Sequence, residues 1–311
     1  MKENLRAGEQ SNSGPVGQPS VPRKGKGQGY ILLTVLSIIW GLAFVGIRRA
    51  DFELSAVNLT VLRWLIASAG FLAIWPFVGK PKVPFERKDA PRLIVVALFN
   101  VSIYHLSLNY AEKIVSSSLA GLLISLGPVF VVVLSVISLH EKVGAKLVLA
   151  LALAVTGASV LSLGDFNLTF TDLSGPLAVV VTSFAYGVYA VSSKPLVSKY
   201  GPFPTVIWAS CLGTVFLLPL VSGSLITQVS SLSLYGWLSV LFLALLSTVL
   251  ANSIFYALVS GRTVSRLSIQ LYIIPLVSVA GGVLLLQEAI SVFTVLGGVI
   301  LLTGVALATT K

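Results

Sequence analysis

Residues 118–142 read SLAGLLISLGPVFVVVLSVISLHEK, and residues 265–289 read SRLSIQLYIIPLVSVAGGVLLLQEA. The two align without a gap at a shift of 147 positions. Pro128 falls on Pro275, Glu141 on Glu288 and Ser118 on Ser265; further on, Gly157 falls on Gly304. In each copy the proline and the glutamate stand 13 residues apart. Generic apolar likeness between two helices does not place two such landmarks at one spacing. Near the front of the copies the shift is 146. There Ser37-x-x-Trp40-Gly41 matches Ser183-x-x-Tyr186-Gly187, and Arg48 matches Lys194. The chain reads as one unit written twice.

Composition says what kind of unit. Of 311 residues, 56% are apolar and 10% charged, and the mean hydropathy is +0.95. Ordinary soluble domains carry about 25% charge, and a soluble fold of this size has no way to hide so much apolar surface. The solvent for most of the chain is therefore lipid. Ten apolar stretches lie near 29–48, 56–78, 92–111, 115–138, 144–163, 174–194, 203–223, 235–259, 264–286 and 291–309. Each approaches the length that crosses ~30 Å of hydrocarbon. They are continuous runs rather than short alternating segments, so they read as helices and not as barrel strands. The expected fold is an all-α integral membrane protein of ten transmembrane helices, with five-helix repeats over 29–164 and 174–309. Five is odd, so the second copy enters the membrane from the opposite side, and the repeats are inverted. Residues 1–28, rich in Gly, Pro, Ser, Gln and Lys, read as a disordered tail. The run from Tyr30 to Ile47 is too long for a signal-peptide core and lacks an A-x-A site, so it reads as the first membrane helix.

The net charge of +10 follows from topology. Of 21 Lys and Arg, 17 fall in the tail and the alternate loops on its side. Three, Arg48, Arg49 and Lys113, fall on the other side, and Arg63 lies within a helix. That bias predicts cytoplasmic N- and C-termini, and it accounts for the charge without nucleic acid; the expected location is the plasma membrane of a prokaryote. One cysteine, Cys211, and two histidines, His105 and His140, give no disulfide framework and no metal cluster. No nucleotide-binding, nucleophile-elbow or zinc-protease motif is present, so neither an enzyme nor an ATP-driven pump is expected, and no cofactor.

Trp40-Gly41-x-x-Phe44, Arg63, Pro128 with His140-Glu141-Lys142, and Pro275 with Gln287-Glu288 together resemble the drug/metabolite transporter superfamily, and within it the ten-helix EamA-type members. The resemblance covers roughly residues 30 to 309. It implies two inverted five-helix repeats and a central cavity lined mainly by helices one, three, four, six, eight and nine. It also implies a small-molecule substrate, in many members an amino acid or similar metabolite moved outward by alternating access. The second copy departs from the pattern with Ala289 where the first has Lys142.

Ionisable groups inside a membrane are costly unless used or paired, which makes them candidates. Within the predicted spans these are Arg63 and His105. Glu112, Glu141 and Glu288 fall at helix ends, so no buried acid is expected to carry a proton. On helix three, at 100° per residue, Ser102, His105 and Asn109 form one stripe; Asn100, Tyr104 and Ser107 form another roughly opposite. On helix eight the stripe is Thr248, Asn252 and Tyr256, with Asn252 the repeat mate of His105. His105 either lines the cavity or is a hydrogen-bonded group between helices, and Tyr104 divides the same way. Ser118 and Ser125 share a face of helix four, with Tyr272 and Gln270 answering on helix nine. Pro128 and Pro275 each free a carbonyl one turn back, as a kink or a binding point. Trp40, Tyr186 and Tyr189 offer aromatic faces on helices one and six, for substrate or for packing. Of these, Trp40, Tyr104, His105, Asn109, Ser118, Ser125, Tyr186, Tyr189, Asn252, Tyr256, Gln270 and Tyr272 are the expected substrate-binding set, and Pro128 and Pro275 the expected kinks. Arg63 either meets an anionic group or snorkels outward, with helix two peripheral. Glu141 and Glu288 are expected to cap the helix that follows each, and Gly281-Gly282 and Gly297-Gly298 to allow close helix contact. Two other readings remain: a lipid-flipping or lipid-processing accessory protein, marked by a polar groove facing lipid, and a passive channel, marked by a continuous water path.

Overall fold

The computed structural model describes residues 26–78, 80–139, 144–164, 173–261 and 270–309. Among the described residues there is no strand. We number the main helical stretches α1 (Lys26–Ala50), α2 (Ala56–Ile74), α3 (90–112), α4 (117–139), α5 (Ala145–Gly164), α6 (Ser174–Tyr200), α7 (Pro202–Leu217), α8 (234–261), α9 (Gln270–Leu286) and α10 (Val292–Thr309). Each of the ten apolar stretches of the sequence thus holds a helix. A short helix that the sequence reading did not contain, Gly223–Ser230, sits between α7 and α8. Seven stretches are long and apolar enough to cross a membrane. The apolar parts of α5, α9 and α10, Val148–Leu161, Ile273–Leu286 and Val292–Leu307, are shorter. The chain is thus an all-helical, multi-pass integral membrane protein. Residues 1–25 of the expected tail, Glu141 and Ser265 lie outside the described residues, and 26–28, expected in the tail, open α1.

Local chemistry sets the helix starts. Ser55, Ser116, Ser233 and Ser291 accept from the backbone N–H of Asn58, Leu119, Gly236 and Thr294 at 3.0–3.2 Å. Each satisfies an N–H that the first turn of α2, α4, α8 or α10 would leave without a partner. The same end is tied across the bundle. Lys113 donates to the carbonyls of Asp51 and Leu54, and Glu53 accepts from Ser233 N and Oγ at 2.6 Å. At the opposite end Lys199 pairs with Glu86 and Asp89 at 2.6 Å, and Tyr200 Oη donates to Asp89.

Helix packing repeats itself between the halves. A Cβ on Gly41 of α1 would fall 2.5 Å from Val277 Cβ on α9, and one on Gly187 of α6 would fall 2.8 Å from Phe130 Cβ on α4. These are repeat mates. Likewise Gly157 on α5 abuts the backbone of Leu301 on α10, while Gly304 on α10 abuts that of Ala154 on α5. No side chain fits at these crossings.

Two interruptions of the α-helical ladder matter most. Leu98–Ile103 in α3 and Phe242–Leu250 in α8 are π-helical, at corresponding places in the two copies. A π turn leaves backbone groups out of register and re-aims the side chains beyond it. On α4, Ile124–Leu126 tightens into a 3-10 turn just before Gly127 and Pro128, where proline removes a donor from the ladder.

Candidate functional site

The two π segments open onto a cavity enclosing about 780 Å³ of empty space, its mouth included. Walls come from α1, α2, α3, α4, α6, α8 and α9. Trp40, Ala43, Phe44 and Ile47 line it from α1, and Tyr186 and Tyr189 from α6. Ser125 and Ile124 line it from α4, and Ile274 and Pro275 from α9. From α3 come Asn100, Tyr104, His105 and Leu108, and from α8 Ser247 and Asn252. Asn100 and His105 are five residues apart, as are their repeat mates Ser247 and Asn252. That spacing is the π turn expressed in side chains.

The π turn corrects the helical-wheel reading of α3. At a uniform 100° per residue Asn100 and His105 fall on opposite faces; with the wider turn between them both reach the cavity. Their link is direct, since His105 Nδ1 lies 3.0 Å from the Asn100 carbonyl oxygen. A carbonyl only accepts, so Nδ1 carries the proton and Nε2 is left as an acceptor. Tyr104 sits beside His105, ring centroids 4.8 Å apart, and Trp64 closes on the imidazole edge-on at 4.9 Å. Across the cavity Trp40 Nε1 donates to the carbonyl of Ser247 at 3.1 Å, within the π segment of α8.

Other candidates fall elsewhere. Asn109 is fully buried off the cavity, donating to Thr60 Oγ1 at 2.8 Å. Tyr256 lies in an apolar cluster with Leu33, Phe71 and Phe255. Each stands four residues past a lining residue within regular α-helix, and it is Thr60 for Asn109 and the apolar cluster for Tyr256 that take them off the cavity. Ser118 donates to Glu288 Oε2 at 2.6 Å, so helix four contributes Ser125 and not the pair. Pro275 lines the cavity, whereas at Pro128 it is the preceding Ile124 and Ser125 that do. The side chains of Gln270 and Tyr272 lie outside the described residues.

Glu288 has a different job from the one expected. It does not cap α10, which Ser291 starts. Its carboxylate accepts from Ser117 N at 2.8 Å and Ser118 N at 3.0 Å, capping α4 in the other half of the molecule. Gln287, at φ 57°, makes the turn that sends Glu288 back across. Glu112 is a second correction. It closes α3 with no exposure to solvent, Oε2 accepting from Ser117 Oγ at 3.3 Å and Oε1 without a partner. A buried acid does exist at a span end, so the argument against proton exchange from the absence of one falls. Asp51 stands in the turn after α1, its side chain 4% exposed and 3.5 Å from Lys113. Burial pushes its carboxyl up to about 7, and Lys113 and Arg48 offset only part of that.

Sequence reasoning missed Phe44, Asn100 and Ser247, and it favoured a peripheral place for Arg63. Arg63 instead reaches the cavity from α2. Its only available signal was being the one cation well away from the ends of a predicted span. Two lining polar atoms, Asn100 Nδ2 and Ser125 Oγ, have no hydrogen-bond partner among the described residues. Such atoms are costly when buried and mark where a ligand's acceptors would sit.

A model of the EamA-like transporter family matches residues 27–163 and 173–310, one copy on each half. The chain belongs to the EamA-like transporter family. Relatives of this EamA-like protein are transporters and efflux pumps, not enzymes. A protein of Archaeoglobus fulgidus named as an uncharacterised transporter is 33% identical over 91% of this chain and 99% of its own. A probable terminal-alkyne amino-acid exporter of Streptantibioticus cattleyicolor is 27% identical, covering 89% and 91%. A probable amino-acid metabolite efflux pump of Escherichia coli is 23% identical, covering 88% and 92%. A crystal structure superposes with a TM-score of 0.60 at 20% identity, over 91% of this chain and 96% of that one; it shares the fold.

Proposed function

We propose that this EamA-like protein is a secondary transporter that moves a small metabolite outward, an amino acid being the first candidate, by alternating access. The observation that carries it is the cavity walled by both halves, with His105 and Asn252 as repeat mates on its lining. Imidazole and amide each donate and accept, so together they exchange the water around a polar substrate for fixed partners. Aromatic walls from Trp40, Tyr104, Tyr186 and Tyr189 suit an apolar or flat remainder. The paired contacts at Gly41 and Gly187, and at Gly157 and Gly304, support inverted repeats of five helices each, ten spans in all. With the 17-to-3 bias of Lys and Arg, this reading puts both termini in the cytoplasm of a prokaryote, and Arg48, Asp51 and Lys113 at the outer face. The names of the Streptantibioticus and Escherichia relatives support an exported amino acid or related metabolite.

The test is counterflow of labelled amino acids in liposomes holding the purified protein. Saturable exchange of at least one is expected. Silence across all twenty, with exchange of nucleosides or sugar phosphates, would remove the amino-acid assignment; lipid scrambling without solute exchange would favour a lipid-handling protein.

A further inference from the structure

Among the described residues, Arg63 is the one charged residue on the cavity lining, and no carboxylate shares that lining. It is 4% exposed. Nε donates to Thr248 Oγ1 at 2.9 Å and Nη2 to Ser247 Oγ at 3.3 Å. Both acceptors are neutral. A guanidinium carries five N–H donors, so these two bonds leave most of its capacity unused. Among the described residues Arg63 forms no ion pair. Glu112, further along α3, is engaged with Ser117 at the helix end. The hydroxyls that steady Arg63 sit on the π segment of α8, so the same irregularity that presents Asn252 also aims the guanidinium.

A buried charge without a counter-ion is costly, and proteins retain one inside a membrane where it is used. Two further donors converge on the same space with no acceptor among the described residues, Asn100 Nδ2 and Ser125 Oγ. Three underused donors, one of them cationic, call for a ligand rich in acceptors and bearing one negative charge. We propose that Arg63 is the anion-holding residue of the cavity and that the substrate class is a small organic carboxylate with an apolar or aromatic body. The planar guanidinium matches a carboxylate with two parallel bonds. Phe44, Tyr104, Tyr186 and Ile274 then house the remainder. This rests on the transporter reading and narrows it: an amino acid enters through its carboxylate, and a molecule lacking one is rejected.

The test uses two probes of one shape, phenylacetate and phenylacetamide, binding to the purified full-length protein in detergent by tryptophan fluorescence and calorimetry. Phenylacetate should bind about tenfold to a hundredfold more tightly than the amide, the range expected for a charge-assisted hydrogen bond. Arg63→Gln should erase that preference, and Arg63→Lys should keep part of it. The wild-type preference needs no variant, so the proposal stays exposed even where Arg63→Gln fails to fold. Equal binding of acid and amide, binding of neither, or an unaltered preference in Arg63→Gln overturns it. Amino-acid counterflow is scored separately: silence there, with phenylacetate still held through Arg63, removes the amino-acid reading and leaves this one standing.

Discussion

Replacing Glu288 by Gln should destabilise the protein through α4, a helix far from it in sequence. The carboxylate accepts three hydrogen bonds at 2.6–3.0 Å, from Ser117 N, Ser118 N and Ser118 Oγ. Ser117 and Ser118 are both buried, so water does not replace what is lost. A bond to a charged acceptor contributes about 1.5–3 kcal/mol, a helix cap ~1 kcal/mol and a charge at a helix N-terminus about 0.3–1 kcal/mol. These overlap rather than add, and Gln keeps one acceptor oxygen. A net cost of about 2–4 kcal/mol follows. For a chain of this size that is roughly 3–6 °C in unfolding midpoint, read by tryptophan fluorescence of the detergent-purified protein. Ser291→Ala, which removes the cap of the helix directly after Glu288, should cost only ~1 kcal/mol. Gly282→Ala should mimic Glu288→Gln, because its Cβ would overlap both Glu288 Oε2 and Ser118 Oγ. A midpoint unmoved in Glu288→Gln but lowered in Ser291→Ala would refute the cross-repeat cap and restore the local one.

His105→Leu and Asn252→Leu should each weaken substrate affinity in counterflow by a few-fold to about tenfold, one hydrogen bond's worth. Asn109→Leu, off the cavity, should instead lower the unfolding midpoint and leave the affinity of the folded protein unchanged. Asp51, raised to about 7 when folded, is near 3.9 when unfolded. The folded state therefore holds its proton more tightly, and its stability falls as pH rises from about 4 to about 7, by up to about 1.4 kcal/mol per unit; Asp51→Asn should flatten that slope in denaturant titrations between pH 5 and 8. Gly157→Leu should part α5 from α10, seen as a lower midpoint, whereas Gly144→Leu, in open space, should not.

Membrane residence, the helical class, the location of the ten long helices and the duplication were all decided by linear features: apolar runs near twenty residues, their punctuation, and a shift of 147 that carries Pro128 to Pro275 and Glu141 to Glu288. Those features act through local chemistry and through lipid, which reads each segment separately. Trp40, Tyr104, His105, Ser125, Tyr186, Tyr189 and Asn252 were legible as cavity candidates because polar or aromatic side chains stand out in an apolar span. What only the tertiary structure decided is which way side chains beyond an irregular turn point, and which distant partner completes a group. The π segments of α3 and α8 are held by packing across the bundle, with Trp40 Nε1 on the Ser247 carbonyl as one such tie; a helical wheel assumes they are absent. That moved Asn100 and Ser247 in, whereas Asn109 and Tyr256 are held off the cavity by Thr60 and by an apolar cluster. Arg63 reaches the cavity because hydroxyls on α8 receive it, and Glu288 caps α4 because Gln287 turns it there. A residue's sequence neighbours carry no record of either partner, since both come from helices more than 160 positions away.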